Sequence, residues 1–148
     1  MKYAFAALAA LAAVPSAVPA MAQAVTLDKE SLAYEIVHND GRKAYLAKDA
    51  QDRPITEIVR LPDGGVMPPH KGGGGLKILT VVQGDLSWGD GMEVDPAKER
   101  VLTPGSVVVI PAEGGAHWKA ARSGDVLFQV VFVRDGALME QVAAQTGF

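Results

Sequence analysis

From Ile55 onward the chain alternates short apolar runs with turn-forming residues. "ITEIVRL" is closed by "PDGG", "VM" by "PPH", "LKILTVVQ" by "GD" and "LSWGDGMEV" by "DPAKE". "RVLT" is closed by "PG", "SVVVI" by "PAEGG", "HWKAA" by "RSGD" and "VLFQVVFV" by "RDG". Short β-rich runs punctuated by Gly, Pro and Asp, roughly every 8–12 residues, predict an antiparallel sandwich or barrel. Continuous apolar runs such as Val107 to Ile110 predict strands covered on both sides. Residues 25–54 are less regular. Apolar positions there fall at both helical and strand spacings, and "NDG" at 39–41 reads as a turn. Short strands or a loose arm are expected in that segment. The tail "ALMEQVAAQTGF" suits a short helix or a strand with a frayed end. No internal repeat or low-complexity linker divides the chain, so one domain is expected over residues 55–148, with 25–54 as its arm.

The first 24 residues follow a different pattern. "MKYAFAALAALAAVPSAVPAMAQA" has one cation, Lys2, an apolar stretch from Tyr3 to Val14, and small residues ending in "AQA". This is the layout of a cleaved signal peptide covering residues 1–24. Pro15 and Pro19 interrupt the apolar run, which is short for a bilayer span. The expected mature chain starts at Val25 in the periplasm or outside the cell, without stable membrane insertion. It would hold about 124 residues, enough for a core without staples.

Charge narrows the partners. The chain carries 14 Lys and Arg against 17 Asp and Glu. A mildly acidic domain without basic runs argues against nucleic acid. There are no cysteines, which removes thiolate nucleophiles and thiolate metal ligands.

Two blocks have regular spacing. In the first, Gly64 is followed by five residues and His70, then by Gly72, Lys77 and Gly84. In the second, Gly105 is followed by five residues and Pro111, then by Gly114, Gly115 and His117. These blocks resemble the two motifs of the cupin superfamily, roughly G-x5-H-x-H-x3,4-E-x6-G and G-x5-P-x-G-x2-H-x3-N. The resemblance spans about residues 55–133 and implies a single all-β jelly-roll barrel or sandwich. It departs from the family where the family holds its metal. Gly72 stands at the second histidine, Lys77 at the glutamate and Ala121 at the asparagine position, and "PAEGGAH" is one residue longer than the pattern. Of the four usual metal-holding side chains, His70 and His117 are retained.

Two imidazoles start a first-row metal site but rarely complete one. An inward Lys77 would set a cation against the ion. Strand alternation puts Lys77, Leu79, Val81 and Gln83 on one face of "LKILTVVQ". The resemblance turns that face toward the cavity; pattern alone also allows a lysine lying over the surface. An inward cation beside His70 and His117 suits a small anionic or carbonyl metabolite, held by charge-assisted hydrogen bonds. A desolvated Lys77 would also serve as a base or Schiff-base nucleophile, the catalytic role assigned to it here. Gly72 to Gly75 either bring backbone N–H groups near that ligand or form a hairpin loop.

Other positions say less. Trp88 and Trp118 read as core residues or as pocket walls. Glu57 is expected on the solvent side of its sheet, and Gln129 on either side. His38 lies outside both motifs, and its spacing gives it no role.

Three functions follow as expectations. The first is a metal-independent ligand-binding cupin, with isomerase or lyase chemistry through His70, Lys77 and His117. The second is a mononuclear metal cupin of dioxygenase or isomerase type, with His70 and His117 holding a divalent transition metal. The third is a non-catalytic binding or assembly module. Many cupins are dimeric, so a homodimer stands open beside each. The leader reading has its own check: N-terminal sequencing of protein recovered from outside the cytoplasm is expected to start at Val25, and an N-terminus at Met1 or Lys2 would exclude cleavage.

Overall fold

A computed structural model describes residues 23–147, so the leader expected at 1–24 lies almost wholly outside the described residues. Among these residues ten strands, a short 3₁₀ helix (Pro96–Lys98) and one α-helix follow in order. They are β1 (Glu35–Val37), β2 (Gly41–Lys48), β3 (Pro54–Leu61), β4 (Val66–His70) and β5 (Leu76–Gln83). Then come β6 (Leu86–Asp90), β7 (Arg100–Leu102), β8 (Val107–Ile110), β9 (His117–Ala121), β10 (Val126–Val133) and α1 (Gly136–Thr146). Two antiparallel sheets face each other. One has the order β1-β2-β3-β10-β5-β8 and the other β4-β9-β6-β7. No helix among the described residues is long and apolar enough to cross a membrane.

Alternation along the strands sorts the residues. On the inner face of the larger sheet β3 presents Glu57, Val59 and Leu61, β5 presents Lys77, Leu79 and Val81, and β10 presents Phe128, Val130 and Phe132. Along each strand these inward positions pass from charged or half-buried to fully buried apolar. The ladder sets Leu61 opposite Val126 and Val81 opposite Phe128, and the smaller sheet sets Leu86 opposite Ala121. These six residues lie in one core cluster, all nearly without exposure. The opposite end of the sandwich is left to polar groups.

Two expectations are corrected. Val107–Ile110 is not covered on both sides: β8 is the edge strand of the larger sheet, and Val107 is 57 % exposed. An apolar run alone does not distinguish a central strand from an edge strand with one covered face. Glu57 is not on the solvent side. It shares its face with Val59 and Leu61 and points into the sandwich.

Residues 25–54 supply β1 and β2, and β2 pairs along β3. The tail is helical from Gly136, capped by the Asp135 carboxylate accepting from the Leu138 N–H at 3.0 Å and ended by Gly147 at φ 81°.

Gly89 fixes the packing of the smaller sheet. It lies opposite Trp118 in the ladder, and a methyl group there would overlap the indole ring. Gly89→Ala is expected to lose about 2–3 kcal/mol of stability in urea unfolding. Combination with Trp118→Phe should lose less than the sum of the two single changes, because both act on one contact. Additive losses would show that the contact is not limiting.

Candidate functional site

The β4–β9 ladder places His70 directly opposite His117. Their rings meet edge to face, with centroids 4.7 Å apart. Behind His117 lies the Trp88 indole, stacked at 4.7 Å and 14°. Its Nε1–H donates to Asp90 Oδ1 at 2.9 Å, which fixes the indole. In front of His70 lies His38, stacked at 3.9 Å and 15°. His38 comes from the turn between β1 and β2, where it takes a left-handed backbone, φ 47°. That region is uncommon for a non-glycine residue. Four aromatic rings thus run across one end of the sandwich.

A cavity of about 400 Å³ opens beside them. Its charged lining comes from Lys43, Glu57, Lys71, Lys77 and Lys119, and its apolar wall includes Leu79, Phe128, Val130 and Phe132. Lys119 is the deepest amine. It lies two residues after His117, hence on the same face of β9, and is only 4 % exposed. Its Nζ donates toward His70 Nε2 at 3.4 Å and sits 4.9 Å from the Trp88 ring centroid. No carboxylate pairs with it among the described residues. Burial first, then the nearby Lys77 cation, brings its pKa down to about 7.

Lys77 lines the same cavity half-buried. Its Nζ donates to the Gly73 carbonyl at 2.8 Å and lies 5.6 Å from the Phe132 ring centroid. Burial and the Arg134 cation lower its pKa. Of the glycine stretch, Gly72 and Gly73 reach the cavity. The contact seen there is a carbonyl accepting from Lys77 rather than an N–H aimed at a ligand site. Burial pushes the Glu57 carboxyl up, against the lysines that favour its charged form.

The imidazoles are held neutral. Burial and Lys119 bring His70 to about 4 and His117 to about 3. His38, nearer the solvent, is lowered by the same two causes. His70 Nδ1–H donates to the Pro68 carbonyl at 2.8 Å, which leaves the Nε2 lone pair facing Lys119.

The metal reading can be tested on these groups. The lone pairs of an imidazole lie in the ring plane, so the parallel rings of His38 and His70 aim theirs side by side, not at one point. The Nε2 that His70 has available faces an amine. Among the described residues no three His, Asp or Glu side chains are arranged to hold an ion. The donor set does not fit a first-row metal centre.

The structure therefore brings His70, Lys77 and His117 to one cavity. Neither Trp88 nor Trp118 lines it. Gln129 faces the other side of its sheet, where Nε2 donates to Thr56 Oγ1 at 3.1 Å. Sequence reasoning missed Lys119, Lys43 and Tyr45 as cavity residues and gave no role to His38. The alternation of β9 carried a usable signal for Lys119, because it follows His117 by two.

The architecture and this cavity define a cupin-type barrel. Solved structures agree. The polyketide cyclase RemF from Streptomyces resistomycificus aligns with a TM-score of 0.57 at 19 % identity, over 76 % of this chain and 81 % of that one. A sugar phosphate isomerase from a cupin superfamily, from Silicibacter pomeroyi, aligns at 0.56 and 21 % identity, over 75 % and 76 % of the two chains. KdgF from Halomonas sp. aligns at 0.54 and 23 % identity, over 76 % and 96 %. No family model and no curated protein matches the sequence. The chain has the cupin fold.

Stability should fall in acid through His70 and His117. Their pKa values are 6.5 when unfolded and about 4 and 3 when folded, so the unfolded chain binds protons that the fold refuses. Their contribution is complete above pH 6.5 and is lost as pH falls toward those folded values. Glu57, shifted upward, acts in the opposite sense. Urea midpoints are expected to drop from pH 7 to pH 5, and to drop less in His117→Gln. Equal drops in both proteins would show that His117 titrates normally.

Proposed function

We propose that this chain is exported and binds a small carboxylate-bearing or carbonyl metabolite in its cupin cavity without a metal ion. One observation carries the reading: among the described residues the cavity gathers four lysine amines around a single carboxylate, Glu57. The less buried amines of Lys43, Lys71 and Lys77 supply positive charge that attracts an anion through charge-assisted hydrogen bonds. The neutral imidazoles add hydrogen-bonding nitrogens without adding charge. The apolar wall accommodates a short carbon skeleton. Export is supported by the leader pattern in residues 1–24.

Isomerase or lyase chemistry suits such a site. Isomerisations and eliminations next to a carbonyl move a proton there, which amines and imidazoles can do. His70 and His117 hold and orient the ligand, and Lys77 faces its charged end. The solved neighbours establish the barrel; the ligand class is argued from the charges in this cavity.

Calorimetric titration with a panel of small mono- and dicarboxylates tests the reading. At least one is expected to bind. Lys77→Ala should weaken it about tenfold and Lys77→Glu more, since the second change adds repulsion to the lost hydrogen bond. Equal affinity in the wild type and both variants would remove Lys77 from the site.

A further inference from the structure

Lys119 has an arrangement that anion binding does not require. A cation that only attracts a carboxylate works well at a cavity mouth, where hydration is retained. This amine is 4 % exposed, packed between Trp88 and Phe128, and directed at a neutral imidazole nitrogen 3.4 Å away. Such burial favours the uncharged amine, which is the nucleophilic form. His70 Nδ1 is committed to the Pro68 carbonyl, so Nε2 is the nitrogen able to accept a proton from Lys119. Lys77 lies in the same cavity and has one acceptor among the described residues, the Gly73 carbonyl. Its remaining hydrogens are available to a carboxylate.

We infer that Lys119 forms an imine with the carbonyl carbon of a 2-oxo acid whose carboxylate is held by Lys77. The inference rests on the anion-binding reading above and adds a covalent step to it. The Lys119 Nζ lone pair attacks the carbonyl carbon, a C–N bond forms, and the carbonyl π pair moves to oxygen. Nitrogen gives its first proton to His70 Nε2, which passes it to that oxygen and leaves a neutral carbinolamine. The second N–H proton takes the same route to the hydroxyl, which leaves as water as the C=N bond forms. One carbonyl and one primary amine yield one imine and one water, with no change in oxidation state.

The test uses the mature chain with pyruvate, 2-oxobutyrate and 2-oxoglutarate, each in the presence of sodium cyanoborohydride, followed by intact-mass analysis and peptide mapping. The expected result is a reduced adduct on Lys119 with at least one acid. Lys119→Met should show none, and Lys119→Arg, which keeps a cation but not a nucleophile, should also show none. Lys77→Met should still form the adduct, but need about tenfold more oxo acid for the same yield. Unfolding curves of each variant report whether it is folded. Parallel calorimetry with the corresponding 2-hydroxy acids, which cannot form an imine, separates the two ideas. Binding of these acids with no adduct on Lys119 would overturn the imine and leave the anion site standing. Adducts spread over surface lysines would overturn it too. Absence of both adduct and binding would overturn both readings.

Discussion

A primary amine held out of water with no paired carboxylate among the described residues is an unfavourable element in a small barrel, and the rest of this structure is arranged to sustain it. Desolvating Lys119 costs several kcal/mol if it stays charged. Part of that cost is avoided by lowering its pKa, and part is offset by the quadrupoles of Trp88 and Phe128. The remainder falls on the apolar end of the sandwich. There Leu61, Val81, Leu86 and Val126 lie nearly without exposure, and each buried side chain of this size contributes roughly 1.5–3 kcal/mol. The two ends of the barrel divide the work: one supplies cohesion, the other spends it on an electrostatically strained cavity.

Neutral imidazoles follow from the same constraint. A protonated His70 would stand 3.4 Å from the Lys119 amine in a poorly hydrated space. Setting His38, His70, His117 and Trp88 in a row suits uncharged rings, and the Pro68 carbonyl fixes the His70 tautomer. The row therefore orders one lone pair toward one amine.

The barrel was readable because turns in this chain are written in residues with few other uses. Gly and Pro between short apolar runs gave β5 with its bounds intact and located β3 to β10 closely. The same rules failed where tertiary context decides. Val107 to Ile110 reads as a buried strand, yet its position at the sheet edge exposes it. Glu57 reads as solvent-facing by type, although its period-two partners Val59 and Leu61 are core residues. His38 reaches His70 from a turn 32 positions away, through a β1–β2 hairpin whose docking no local pattern encodes. Lys119 was overlooked for another reason. Comparison with the cupin motifs directs attention to positions where the family carries ligands, and Lys119 is not among them.

The two departures at the first motif are physically one change. Gly72 occupies the family's second histidine position and Lys77 its glutamate position. A Cβ on residue 72 would come within 2.8 Å of Lys77 Nζ. The far end of a lysine can shift to admit a methyl group, but an imidazole at 72 would claim the volume that the amine fills. A lysine at 77 in its present pose therefore requires a very small residue at 72. Restoring the histidine alone would displace Lys77 without completing a donor set, because the cation would still stand where the carboxylate is needed. Restoring the glutamate alone would leave two imidazoles and one carboxylate facing the Lys119 amine at His70 Nε2. A route from this cavity to a metal centre must therefore change residues 72, 77 and 119 together. That coupling makes the lysine arrangement a self-consistent alternative to the metal-holding one.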